Sequence, residues 1–161
     1  MKSRKRFLLW SAVLVWMGII FFFSAQTAPA SSGQSGSLIR TILSWFDPTF
    51  ETLPVAHQEL RIESLQHIVR KLAHMSIYGV LGMLSIGALY THNLSTRFRP
   101  LLAVAICIAY AITDEWHQTF VPGRSGELKD VCIDSVGALL GVLLIFLIYT
   151  LIHRKKQKSG I

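Results

Sequence analysis

Asp114-Glu-Trp-His-Gln-Thr-Phe-Val-Pro-Gly-Arg124-Ser-Gly-Glu-Leu-Lys-Asp130, followed by Asp134, is the stretch whose reading decides the fold. It sets acids, a histidine, a glutamine and an arginine between two segments, Leu101 to Ile112 and Ser135 to Ile152, that carry no charged residue. Apolar segments of this kind read as membrane spans, and ionisable groups where spans end are costly unless they face a bundle interior. Val121-Pro-Gly-Arg124 is a turn signal, so the flanking segments form an antiparallel helical hairpin with the polar stretch at its tip.

Working outward, four apolar blocks stand out: Phe7–Phe23, Leu72–Tyr90, Leu101–Trp116 and Val131–Ile152. Each is near the length that crosses a ~30 Å hydrocarbon core as a helix rising ~1.5 Å per residue. The third is the shortest and spans only if Asp114 to His117 lie at the membrane surface. At 161 residues, just over half of them hydrophobic, the chain is one small unit with too little polar sequence to cover a soluble core. The expectation is an all-α integral membrane protein with four transmembrane helices, at about 7–24, 71–90, 100–117 and 130–152, and an outer loop over 25–69.

The net charge of +7 is distributed as a topology signal. Lys2, Arg4, Lys5 and Arg6 precede the first block, Arg97 and Arg99 lie between the second and third, and Arg154, Lys155, Lys156 and Lys158 follow the fourth. Placing these segments on one side collects ten bases and no acid there, and leaves six bases with all nine acids on the other. Lysine and arginine bias in short loops sets orientation, so both termini are expected in the cytoplasm. The bases then need no nucleic acid to explain them, and the expected partners are membrane lipids with anionic heads.

The first block has a rival reading, because Ala28-Pro29-Ala30 after a basic start and an apolar core resembles a secretory cleavage site. Its length and its bulky Trp10, Trp16 and Phe21–Phe23 favour a retained helix. The Ser/Gly/Ala/Pro-rich stretch that follows, up to Ser37, reads as a flexible loop. Leu38, Ile39, Ile42, Leu43 and Phe46 then recur at helical spacing, which predicts a short interfacial helix anchored by Trp45 and ended at Asp47-Pro48. Leu60, Ile62, Leu65, Ile68 and Val69 predict a second amphipathic helix running into the second span. Cys107 and Cys132 fall at different depths and are expected to be free thiols.

With this topology the outer helix ends supply one set of polar side chains. Helix one brings Ser24 and Gln26, and helix two Lys71, His74 and Tyr78. Helix three brings Asp114, Glu115, His117 and Gln118, the turn Arg124, and helix four Asp130 and Asp134. Residues four apart are helical neighbours, so His74 with Tyr78, Asp114 with Gln118 and Asp130 with Asp134 share faces. In a compact bundle these faces make a polar pocket open to the outer leaflet. Each residue also has a plainer reading: Arg124 with Asp130 or Glu115 as a weak ion pair closing the hairpin, His74 as a packing residue, Lys71 as a snorkelling base. Gly137-Ala-Leu-Leu-Gly141 is a small-xxx-small stripe for helix contact, with Gly79 and Gly82 serving the same purpose. Carboxylates and imidazoles of these types suit divalent ions, but no metal-site spacing is present, so no metal is assigned and any cofactor is unknown. Histidine with carboxylates could act as base and orienting group, and Arg124 could hold a phosphate.

Ser24-Ala-Gln26, Lys71-Leu-Ala-His74-Met-Ser-Ile-Tyr78, Asp114-Glu-Trp-His-Gln-Thr-Phe-Val-Pro-Gly-Arg124 and Asp130-Val-Cys-Ile-Asp134-Ser-Val-Gly137-Ala-Leu-Leu-Gly141 resemble, in that order, the motifs of the VanZ family. One position departs: many members carry an acid just before the tyrosine of the second motif, where this chain has Ile77. The resemblance implies a single VanZ-like domain over 1–161, in a bacterial multi-pass membrane protein of the cell envelope. Members are linked to low-level glycopeptide resistance, to teicoplanin in particular, without replacement of the terminal D-Ala-D-Ala of the cell-wall precursor. The family name supplies no reaction. Three functions therefore stand side by side: an enzyme acting on a lipid or head group, a non-catalytic binder of a lipid-linked envelope ligand, and a structural scaffold.

Overall fold

The computed structural model describes the backbone of residues 2–158 and the side chains of residues 3–153. Of the basic flanks read from the sequence, Lys2 and the tail from Arg154 to Lys158 have side chains outside the described residues. Five α-helices follow in order: α1 (Lys2–Ser24), α2 (Ala28–Phe46), α3 (Val55–Leu89), α4 (Phe98–Gln118) and α5 (Leu128–Lys158), with a 3-10 turn at Phe50–Thr52 before α3. There is no strand among the described residues. The all-α expectation holds.

Three helices are long and apolar enough to cross a membrane: Ser3–Ser24, Val55–Leu89 and Leu128–His153. α4 has 21 residues, about 31 Å at ~1.5 Å per residue. It falls outside this group because Arg99 stands near one end and Asp114 and Glu115 near the other. It nevertheless runs beside α1 from the level of Trp10 to Ser24. Near its start the Arg99 guanidinium donates to the His92 carbonyl, and His92 in turn accepts from the Trp10 indole N–H of α1 at 2.9 Å. Near its other end Asp114 meets Ser24, the last residue of α1. Arg6 donates to the Thr91 carbonyl at 3.0 Å, so the start of α1 and the α3–α4 connection share one end of the bundle.

α3 and α5 form the central seam. A Cβ on Gly141 would stand 1.9 Å from the Gly79 carbonyl oxygen, one on Gly137 2.1 Å from that of Met75, and one on Gly82 2.3 Å from that of Ala138. No real Cβ fits such distances, so glycine is what lets the two backbones touch. Around the seam, Val13, Ile20, Tyr78, Leu81, Cys107 and Ala111 bring α1, α3 and α4 into one apolar core. Both cysteines are free thiols, Cys107 buried and Cys132 exposed.

The region between α1 and α3 corrects the flexible-loop expectation. The Ser/Gly-rich stretch is helical: α2 begins at Ala28, ten residues earlier than Leu38. Pro29 sits in its first turn, where a missing N–H costs nothing, and the Ser31 N–H closes that turn on the Thr27 carbonyl at 3.0 Å. Serine and glycine are poor helix formers in isolation. Here packing overrides propensity: Gln66 of α3 donates to the Ser32 carbonyl at 3.1 Å. Further along, Ile39 is buried with Phe50 and Ile62 in a small separate core. Arg40 pairs with Glu59, and Arg61 with Asp47. The Thr49 hydroxyl, its N–H and Arg61 hold the Asp47 carboxyl below its usual range. The amphipathic segment after His57 is continuous with the second apolar block in a helix of 35 residues, about 52 Å long.

Candidate functional site

The turn after α4 is where local sequence builds the site. Pro122 and then Gly123, at φ 76°, give the type II pattern, and the Arg124 N–H closes the turn on the Val121 carbonyl at 3.1 Å. The Ala28 N–H donates to the Pro122 carbonyl, fixing the turn to the first residue of α2. Below it, the Glu115 carboxylate accepts the Glu127 N–H at 2.9 Å. Arg124 is thereby aimed inward. Its Nε donates to the Gln26 carbonyl at 3.0 Å and a terminal nitrogen to Gln118 Oε1 at 3.1 Å.

Under Arg124 lies a cleft of about 180 Å³, lined from α3 by His67, Arg70, Lys71 and His74, and from α5 by Asp130 and Asp134. Gln118, Ser125 and Glu127 complete its polar rim. Lys71 Nζ donates to Asp130 Oδ1 at 2.7 Å. Asp134 is fully buried, and neither of its oxygens has a hydrogen-bond partner among the described residues. The His74 imidazole nitrogen Nδ1 lies 3.7 Å from Asp134 Oδ1, too far for a good hydrogen bond. Arg70 and Arg124 both face this space and have no carboxylate partner among the described residues. Burial, and then the like charge of Arg70, lower the pKa of the Arg124 guanidinium. Arginine remains a cation under such pressure, so two guanidinium groups free of ion pairs among the described residues face the cleft, with Asp130, Asp134 and Glu127 on its other walls.

A second polar knot lies beneath, at the meeting of α1, α3 and α4. Ser24 Oγ donates to Asp114 Oδ2 at 2.7 Å and the Tyr78 hydroxyl to the same oxygen at 3.2 Å. All three side chains are buried. Asp114 also reaches a shallow pocket on the far side, where His117 packs against Phe21 with ring centroids 4.4 Å apart.

The twelve residues singled out in the sequence thus divide. Lys71, His74, Gln118, Arg124, Asp130 and Asp134 line one cleft. Ser24, Tyr78 and Asp114 form the knot below it. Glu115 serves the turn, Gln26 offers Arg124 its carbonyl, and His117 faces another side. Four polar cleft residues stand outside the twelve: His67 and Arg70 of α3, and Ser125 and Glu127 after the turn. Helical spacing could have found the first two, since 67, 70, 71 and 74 fall on one stripe of α3. Among the described residues, no three His, Cys, Asp or Glu side chains converge to hold a metal ion.

Long apolar helices, a glycine-tight seam and a charged cleft at one end define a helical membrane protein with a polar end site. The VanZ/LLP1 family model matches residues 9–149, well over half of the chain, and the chain belongs to that family. No curated protein and no solved structure matches it.

Proposed function

We propose that the cleft binds the anionic, phosphate-type head of a lipid or lipid-linked cell-wall ligand at the outer leaflet of a bacterial membrane. In this reading α4 is a fourth span, both termini are cytoplasmic, and occupancy of the site lowers susceptibility to glycopeptides such as teicoplanin. The observation that carries it is the pair Arg70 and Arg124, facing one cleft with neither guanidinium held in an ion pair among the described residues, although Asp134 and Glu127 share that cleft. Two guanidinium forks are suited to a tetrahedral oxyanion, and a desolvated site strengthens each charge-assisted bond. The shared course of α4 with α1 from Trp10 to Ser24 and the gathering of Arg6, Arg97 and Arg99 around one bundle end support the topology.

A transfer or hydrolysis reaction is the second reading, favoured by one observation. His74 turns Nδ1 toward buried Asp134, which leaves Nε2 as the nitrogen able to act as a base on a molecule in the cleft. A head-group binder needs Arg70 and Arg124 but not this pair. An enzyme needs both.

The test is teicoplanin susceptibility and lipid analysis in a host expressing wild type, Arg124→Gln or His74→Gln, with membrane levels matched. Loss of the phenotype in Arg124→Gln alone supports a binder. Loss in both, with an altered lipid product for wild type only, supports an enzyme. An intact phenotype in Arg124→Gln sinks the cleft reading. For topology, in a Cys107→Ala/Cys132→Ala background an impermeant maleimide should label Ser125→Cys in intact cells and Ser95→Cys only after permeabilisation; the reverse pattern inverts the assignment.

A further inference from the structure

Ser31, Gln34, Ser35 and Leu38 recur at helical spacing on the face of α2 that looks toward α3. Val69, Ala73 and Ile77 face them from α3, and between the two helices runs a mostly apolar groove of about 310 Å³. Its cause lies in residue size. At the far end of α2, Ile39 and Leu43 pack on Phe50 and Ile62 and set the distance between the helices. Upstream, Ser32 and Gly36 meet Gln66 of α3, and Ser31 and Ser35 on the adjoining stripe are too small to fill the space beside that contact, so it stays open. Arg70, His74 and Arg124 line both this groove and the charged cleft, so the two spaces meet at three shared side chains.

We propose that the groove holds the hydrocarbon chain of the same molecule whose anionic head occupies the cleft, which makes the ligand an amphiphile with a phosphate-type head. The inference rests on the anion-binding reading of the cleft. Charge at one end and apolar wall at the other match a head and a chain in that order. Bilayer hydrocarbon is as apolar as the groove, so the chain adds affinity through van der Waals contact with the groove walls and by tethering the head beside the cleft rather than through a hydrophobic gain. The serine-rich composition of α2 then has a function: it keeps the groove open.

The experiment uses the full chain in dodecyl maltoside with two probes, inorganic phosphate and a dodecyl phosphate carrying a diazirine in mid-chain. Wild type is expected to bind dodecyl phosphate at least tenfold tighter than inorganic phosphate, with photo-adducts on Ser31, Leu38, Ala73 or Ile77. Ser35→Leu should abolish that tenfold preference and the adducts while leaving the affinity for inorganic phosphate unchanged. Leucine is a better helix former than serine, so the variant is not expected to unfold α2. Ala73→Phe blocks the groove from the opposite wall if Ser35→Leu does not accumulate. Equal affinity for the two probes, or a preference that survives both variants, overturns the chain site and leaves the head-group site standing. Binding of neither probe overturns both.

Discussion

Gly137 and Gly141 of α5 press on the Met75 and Gly79 carbonyls of α3, whereas Ser31 and Ser35 of α2 face the same helix across an open groove. Small residues do opposite things on the two sides of α3. On the α5 side nothing larger intervenes, and two backbones close to contact. On the α2 side Ile39 and Leu43 on Phe50, and Ser32 and Gly36 on Gln66, hold the two helices together along one stripe, and the smallness of Ser31 and Ser35 beside it becomes empty room. A stripe of small residues therefore has no fixed meaning; its neighbours decide whether it closes an interface or opens one. The cleft sits where the two regimes meet, backed by a rigid seam and flanked by a helix with slack.

The largest effect expected from breaking this contrast is at the seam. Gly141→Ala gains up to about 1 kcal/mol of helix propensity, but its Cβ would meet the Gly79 carbonyl oxygen 1.9 Å away. Overpacking against backbone should win by about 2–3 kcal/mol, seen as a lower thermal midpoint and poor recovery from membranes. An unchanged midpoint would show that the seam can part at no cost. Next is Glu115→Gln, which weakens the acceptor for the Glu127 N–H. It should cost about 1 kcal/mol and speed amide exchange from Phe120 to Glu127, with the seam unaffected. Protection that stays unchanged would mean the turn is held by other bonds.

Ser35→Leu should move stability by no more than about 0.5 kcal/mol, because it fills space without displacing atoms. A loss as large as that of Gly141→Ala would erase the distinction between the two stripes. Smallest is the pH response at the Asp47 corner. Its carboxyl sits below the usual range, first through the Thr49 hydroxyl and also through Arg61. A depressed folded pKa gives a contribution that is complete above the unfolded value of about 3.9 and fades as pH falls through the folded value. Protection of the α2–α3 corner in amide exchange should therefore be flat from neutral pH down to about 5 and decline only below about 4. A decline near pH 6 would contradict it.

The sequence makes the long apolar helices legible because uninterrupted runs such as Leu101–Ile112 leave no other place for the chain to go. The second half of α2, from Leu38 to Phe46, is legible from its apolar spacing, whereas its first half was hidden because helicity there comes from packing against Gln66 and Ile62, contacts that Ser32 and Gly36 do not announce locally. In the site, Lys71, His74, Asp130 and Asp134 were readable from four-residue spacing across helix ends. The role of Glu115 was not, because adjacent residues on a helix point about 100° apart; Asp114 faces the bundle while Glu115 turns to the loop. Arg70 was overlooked as a flank of the span, although it shares the stripe that carries Lys71 and His74.

The most direct measurement is phosphate affinity set beside thermal stability for the double variant Arg70→Gln/Arg124→Gln. A cleft built for an anion predicts at least tenfold weaker binding of inorganic phosphate. The thermal midpoint should fall by only about 2–6 °C, because neither arginine is ion-paired among the described residues and the loss is that of the Arg124 hydrogen bonds to the Gln26 carbonyl and Gln118. Phosphate bound as tightly by the variant, or a midpoint that collapses together with binding, would contradict it and make these side chains part of the scaffold.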